Sequence, residues 1–266
     1  MNVVSLFDGI SCGQLALRKA GIPVTTYFAS EVDKNAIRVT QHNFPDTIQL
    51  GDVTAIDGTM LAGADLLMGG SPWQGFSNAG KGLNFEDPRS ALFFEFVRLR
   101  DEIGPRYFLL ENVNMKAEWR DIISQYLGVE PVRINSSDFV PALRDRWYWT
   151  NIPIEPWTPN GSKLADILED GYVDRPCYMK QLAHGWNKGF ERKTEKAPTL
   201  TTSGWQHNNF VSRDKVEWRK LTPRECERIQ GVPDDYTACV SDMARYHALG
   251  NGWTVDVIAH IFKNLT

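Results

Sequence analysis

The stretch Gly69-Gly70-Ser71-Pro72-Trp73-Gln74-Gly75-Phe76-Ser77 decides how the rest of the chain is read. It follows Ala64-Asp65-Leu66-Leu67-Met68, a short apolar run with the length and composition of a buried strand. Two glycines and a proline then predict that the strand stops and the chain turns sharply. In an open α/β sheet, a loop at the carboxyl end of a strand is where ligands bind. The flanking sequence should then supply more strands, the helices between them and the rest of a site.

Upstream, Val3-Val4-Ser5-Leu6-Phe7 is a β-rich run that leads into Asp8-Gly9-Ile10-Ser11-Cys12-Gly13. The helical pattern Gln14 to Ala20 follows, closed by Gly21. Glycines in such a turn let a ligand approach the backbone, and a helix N-terminus offers free N–H groups. Taken alone, the turn is as readily structural. A second strand, Thr26 to Ser30, ends in Glu31. That acid lies about 20 residues beyond the turn, the spacing at which Rossmann-like folds hold a ribose hydroxyl. A helix cap is its other use. Asp33 to Asn43 reads as a helix ending near Phe44-Pro45, and Ile48-Gln49-Leu50 as a short strand before Gly51-Asp52-Val53. There Asp52 either caps a turn or accepts a hydrogen bond from an adenine amino group, with Val53 against the ring.

Downstream, Asn78 to Asn84 is polar and glycine-rich and includes Lys81, the make-up of a lid. Asp87-Pro88-Arg89-Ser90 predicts the start of a helix over Ala91 to Arg100, with Leu92, Phe93, Phe96 and Leu99 at core spacing. Tyr107-Phe108-Leu109-Leu110 is another buried strand, ending in Glu111-Asn112-Val113. A carboxylate there is a candidate acid or a surface Glu. Arg144 and Arg146, two apart on an extended segment, share a face and suit a base carbonyl and a phosphate. Trp147-Tyr148-Trp149 reads as sheet core.

From Asn151 to Trp218 the strand–helix alternation fades behind Pro153, Pro156, Pro159 and Gly161. Lys188, Arg192, Lys193, Lys196, Arg213, Lys215, Arg219 and Lys220 concentrate here, interleaved with Trp186, Trp205 and His207. Basic residues among aromatics and loops make a nucleic-acid surface or a solvated lobe. Leu221 to Gly231 is a capped helix, with Thr222 as N-cap, Pro223 at N1, Glu225 completing a capping box and Gly231 as the stop. Leu249-Gly250-Asn251-Gly252-Trp253-Thr254-Val255 precedes a final helix.

Composition limits the partners. With 266 residues, 42% of them hydrophobic, one domain, or one large domain with a small lobe, is expected. Net charge is −4, so any contact with DNA must rely on a local basic face. The four cysteines, Cys12, Cys177, Cys226 and Cys239, show no CxxC spacing and are expected as reduced thiols. No apolar run approaches the ~18 residues of a membrane span, and the first residues lack a basic n-region.

These segments, in this order, resemble the DNA cytosine-5 methyltransferases. The opening stretch is similar to that family's Gly-Gly-x-Pro-Cys-Gln-x-Phe-Ser loop. Phe7-Asp8-Gly9-Ile10 resembles its cofactor turn, Glu111-Asn112-Val113 its base-holding motif and Arg144-x-Arg146 its paired arginines. The resemblance implies an α/β, Rossmann-like class I methyltransferase fold, a mostly parallel doubly wound sheet with a small target-recognition lobe. Residues 1–150 plus 219–266 would form the catalytic domain and 151–218 the recognition region.

For the cofactor, S-adenosyl-L-methionine (S-adenosyl-L-homocysteine as product), it implies contacts from Phe7, Asp8, Gly9, Ile10 and Gly13. Glu31, Val32, Asp52, Val53, Pro72, Leu92, Asn251 and Trp253 would add to them, Trp253 near the methionine moiety. Glu111 would hold N3 of a flipped cytosine and Asn112 would pin the loop, with Arg144 and Arg146 beside them. Double-stranded DNA would meet Gln74, Ser77, Lys81, Lys188, Arg192, Lys193, Thr202 and Trp205. No metal is implied, and the setting would be the DNA of a bacterial or phage-infected cytoplasm. The de novo branch and small phage or bacterial relatives, including restriction–modification enzymes, are most similar, and chain size favours the latter.

One position departs from the pattern. Where the family carries its nucleophilic cysteine, this chain has Trp73. Indole has no titratable nucleophile at neutral pH, so covalent addition to C6 of cytosine is expected to be lost. The readings left open are a protein that binds cofactor and DNA without covalent methylation, a replacement introduced into an active enzyme, and different chemistry on a base. A DNA-binding regulatory pseudoenzyme is a further alternative.

Overall fold

The computed structural model describes residues 1–71, 88–183, 188–202 and 209–265. The chain begins with β1 (Asn2–Leu6), α1 (Cys12–Lys19), β2 (Thr26–Ser30), α2 (Lys34–Asn43) and the short β3 (Ile48–Gln49). Then come β4 (Leu66–Gly70), α3 (Pro88–Ile103), β5 (Tyr107–Val113), α4 (Ala117–Leu127), β6 (Val132–Asn135) and β7 (Asp145–Thr150). The remainder holds α5 (Leu164–Ile167), β8 (Tyr178–Gln181), β9 (Phe190–Lys193), β10 (Phe210–Ser212) and β11 (Arg219–Lys220). It closes with α6 (Pro223–Gln230), α7 (Asp242–Asn251) and α8 (Val255–Phe262).

The large sheet has seven strands in the order β3-β2-β1-β4-β5-β7-β6. Neighbours from β3 through β5 pair in parallel, and β7 is antiparallel to both β5 and β6. Both faces are covered, which explains why the strands read as continuous apolar runs. Val3, Leu66, Met68 and Leu109 join the core that includes α1 and α8. Val4, Leu67, Phe108 and Leu110 join the opposite one, against Phe93, Phe96 and Leu99 of α3. The strand order reverses between β1 and β4, so the carboxyl ends of those strands flank the crevice in which such sheets bind ligands.

Local chemistry sets the element ends. Asp33 caps α2 by accepting from the N–H groups of Asn35 and Ala36. Thr222 and Glu225 form the reciprocal capping box of α6, and Gly231 ends it at φ 72°. A second sheet, ordered β11-β10-β8-β9, is antiparallel throughout and sits in the segment that follows the large sheet. It is tied back where Ala197 pairs with the strand-like run before β7, through Leu143 N–H to Ala197 O and Ala197 N–H to Pro141 O, each 2.8 Å. No helix among the described residues is long and apolar enough to cross a membrane.

One expectation needs correction. The glycines after Met68 do not stop β4, which runs through Gly69 and Gly70 to pair Gly70 with Glu111. Their place is set by close packing, because a Cβ on Gly70 would stand 2.8 Å from the Trp253 indole nitrogen. β5 ends in Glu111-Asn112-Val113, as the sequence reads. Leu249, Gly250 and Asn251, at the start of the run before the final helix, form the last turn of α7.

Candidate active site

A cavity of about 560 Å³ opens at the carboxyl ends of β1, β2, β4 and β5. That volume lies in the range of small-molecule and cofactor sites, roughly 300–1,000 Å³. One side is built by the turn after β1. Phe7, Gly9 and Ser11 all have left-handed backbones, at φ 56°, 59° and 57°. Only Gly9 adopts this without cost; for Phe7 and Ser11 it stores strain of ~1 kcal/mol or more each, as functional turns often do. The result is a backbone bent around the cavity. Gly9 N–H donates to Glu31 Oε2 at 2.8 Å, which joins the ends of β1 and β2.

Glu31 also accepts from Val32 N–H at 2.7 Å and Asp33 N–H at 2.9 Å, so its carboxylate is fixed at the rim. Val32 is 68% exposed while lining the cavity, an apolar side chain left for a ligand to cover. Asp52 accepts from the Thr54 N–H and hydroxyl, both at 2.9 Å, which holds its carboxyl below the usual range. Both uses considered for this residue are therefore compatible, since it caps a turn and lines the cavity beside Val53.

Asp8 lines the same wall. Its Oδ1 accepts from the Tyr27 hydroxyl at 2.7 Å, and Oδ2 accepts from Ser11 Oγ. Burial pushes the Asp8 carboxyl up to about 6, against the pull of these hydroxyls and with a push from Glu31. Gly13 and Leu92 also line the cavity, as do Asn251 and Trp253 from the far end of the chain. Ile10 does not. Its side chain is 1% exposed and turned into the core with α1, so only its backbone faces the turn.

The other side is built by β4, β5 and the start of β7. Glu111, Asn112, Arg144 and Arg146 all reach the cavity. Arg146 Nε lies 2.9 Å from Glu111 Oε1, a buried contact ion pair whose N–H is not aimed along the line. Arg144 donates to Gly250 O at 3.2 Å and reaches Asn251 O at 3.5 Å. Its Nε is buried without a partner among the described residues. Burial, with Arg146 alongside, pushes the Arg144 guanidinium down to about 10, while Glu111 opposes the shift. Asn112 Nδ2 donates to Ser71 Oγ at 3.1 Å, which fixes the last described residue before the segment that carries Trp73.

Pro72, Trp73, Gln74, Ser77, Lys81 and Trp205 lie outside the described residues. Lys188, Arg192 and Lys193 are exposed at and beside β9, and Arg192 stacks over Phe190 at 4.7 Å. Thr202 is half-buried in the connection that presses its backbone against Gly250 of α7. Other cations of that lobe are used internally. Arg213 clamps Asp170 and Arg219 clamps Glu225, each through two nitrogens. Lys196 donates to the carbonyls of Ser137 and Ser162 at 2.8 and 2.6 Å.

Sequence reasoning missed His247, Asp33 and Cys12 as lining residues. His247 Nδ1 stands 3.9 Å from Asp33 Oδ2, and it lies on α7, whose N-cap Ser241 and first-turn Asp242 were the signal available. Cys12 offers no replacement nucleophile, because burial beside Asp8 pushes its thiol up to about 12. Burial also raises the thiols of Cys177 and Cys226.

Known proteins agree with this architecture. The family model described as C-5 cytosine-specific DNA methylase matches residues 1–153 and 154–266. The type II methyltransferase M1.ScrFI of Lactococcus lactis subsp. cremoris is 30% identical over 303 residues, covering 99% of this chain and 77% of that one. The type II methyltransferase M.Bsp6I of Bacillus sp. (strain RFL6) is 30% identical over 312 residues, covering 100% and 98%. The solved S. pombe Dnmt2 methyltransferase superposes with a TM-score of 0.71 at 18% identity over 100% of this chain and 99% of that one, a likeness of fold.

Proposed function

The chain belongs to the C-5 cytosine-specific DNA methylase family, and from that premise we propose that it binds S-adenosylmethionine and double-stranded DNA while Trp73 withholds the covalent route to C5 methylation. The family uses S-adenosylmethionine as methyl donor, and the fold is Rossmann-like with a small second lobe. The observation that carries the proposal is a juxtaposition. Glu111, Asn112, Arg144 and Arg146 share one cavity with Glu31, Val32 and Asp52, whereas residue 73 is tryptophan.

The donor's cationic and aromatic parts suit the residues present. Glu31 accepts from ribose hydroxyls, Asp52 from the adenine amine, and Val32 and Val53 cover the ring. Asn251 and Trp253 close the methionine end. Bound there, the cofactor would supply an electrophilic methyl group. Glu111 holds N3 of an extruded cytosine, with Arg146 keeping the carboxylate in place, and Asn112 anchors the chain through Ser71. Residues 1–150 with 219–266 carry this chemistry, and 151–218, with Lys188, Arg192 and Lys193 on its exposed strand, meets the duplex.

What is missing is the group that adds to C6. Removing the nucleophile of a covalent enzyme costs about 10⁴–10⁶ in rate. An indole near an extruded base can instead stack on it, for ~1–3 kcal/mol. Transfer of labelled methyl groups to cytosine-containing duplex DNA tests the proposal. The chain as it stands should give no C5 methylation above background, and Trp73→Cys should restore it. Robust C5 methylation by the tryptophan form would refute it, and failure of Trp73→Cys would refute the claim that the rest of the site is competent.

A further inference from the structure

Among the described residues, Asp8 is the one carboxylate of the cavity whose side chain is held only by hydroxyl groups. Tyr27 and Ser11 donate to its two oxygens, and no Lys, Arg or His among the described residues stands within ion-pairing distance of it. Hydroxyls can donate to a charged carboxylate or turn and accept from a neutral one. Backbone N–H groups, which hold Glu31, can only donate. The titratable groups facing Asp8 are Glu31 and Tyr27 from β2 and its end, Cys12 from α1, and Tyr236 from the connection between α6 and α7. All of them are neutral or acidic, so none favours the charged form by attraction. The cavity's basic side chains are engaged elsewhere. Arg146 faces Glu111, Arg144 holds the end of α7, and His247 stands beside Asp33.

We infer that Asp8 is a proton-linked discriminator between the two forms of the cofactor, ionised against the cationic sulfonium of S-adenosylmethionine and protonated when the neutral thioether of S-adenosylhomocysteine takes its place. The inference rests on the cofactor reading above. Its electrostatic logic is elementary. A positive charge brought into a poorly solvated cavity favours the carboxylate, and its removal leaves that carboxylate uncompensated beside Glu31. Burial already pushes Asp8 up to about 6, so a modest further change in charge moves it across neutral-to-mildly-acidic pH. The linkage makes the donor bind better than the product as pH rises. No step of methyl transfer is needed for it to operate, so it is independent of Trp73.

Calorimetric titration of the intact chain with each cofactor form, in buffers of different ionisation enthalpy, counts the protons directly. At pH 6, S-adenosylmethionine should release about half a proton more than S-adenosylhomocysteine. The ratio of the two dissociation constants should shift in favour of the donor by roughly five- to tenfold between pH 5 and pH 7, for each unit by which the Asp8 titration differs between the complexes. Asp8→Asn should abolish both effects, whatever affinity for the two forms it retains. Equal proton counts and a pH-independent ratio in the unaltered chain would overturn the inference and leave the cofactor reading intact. Failure of either form to bind at millimolar concentration would overturn the cofactor reading itself. The unaltered chain decides the matter even if Asp8→Asn does not fold.

Discussion

At the scale of single residues, the cavity is a set of carboxylates and guanidiniums whose behaviour follows from what each touches. The sign of the Asp8 contribution is set by its raised pKa. The folded state binds the proton more tightly than the unfolded chain, so the stabilisation is complete below about pH 3.8, the unfolded value, and is lost as pH rises through about 6. Unfolding by urea between pH 4 and pH 7 should show a decline of ~1–3 kcal/mol from this group, allowing for its partial exposure to the cavity. Asp8→Asn should flatten that decline. An unchanged slope in the variant would show that Asp8 does not titrate there. Asn112→Ala leaves the buried Ser71 hydroxyl without its partner and should cost ~1–3 kcal/mol in the same measurement.

At the scale of elements, strand β4 meets the turn after helix α7 where Gly70 lies under Trp253. Gly70→Ala places a methyl group 2.8 Å from the indole nitrogen and 3.2 Å from Glu111 Oε2. It should cost ~1–3 kcal/mol of stability by overpacking and weaken S-adenosylmethionine binding at least tenfold, read by calorimetry. Thr222→Ala is the contrast. It removes the capping box of α6 and should cost ~1 kcal/mol while leaving cofactor affinity unchanged. The sequence was most legible where local rules act alone. The β1 turn with its glycines, the bounds of β2 and the caps of α6 were all readable, because periodicity and capping are local. α7 was not, since Gly250 and Asn251 look like helix breakers, yet tertiary packing of Gly250 against the Thr201–Thr202 backbone keeps the helix going. The second sheet escaped because its strands, such as Phe210–Ser212 and Arg219–Lys220, are too short for alternation to register. The lobe's cations looked alike in sequence, and only three-dimensional pairing separates Arg213, Arg219 and Lys196 from the exposed Lys188, Arg192 and Lys193.

At the scale of the whole molecule, a chain of net charge −4 must present its basic residues locally to hold a polyanion. Duplex binding should therefore weaken steeply with salt. Replacing Lys188, Arg192 or Lys193 by glutamine should lower the slope of log affinity against log salt by about one for each phosphate that the variant no longer neutralises. An unchanged slope in the triple variant would move the interface off this lobe. The larger claim is that a family pocket persists in a chain whose residue 73 cannot attack. It is tested most directly by trapping on a duplex in which 5-fluorocytosine replaces cytosine, with S-adenosylmethionine present. The protein as it stands should retain the duplex on a native gel yet give no covalent adduct on a denaturing one, while Trp73→Cys gives the adduct. An adduct formed by the tryptophan protein would contradict the account.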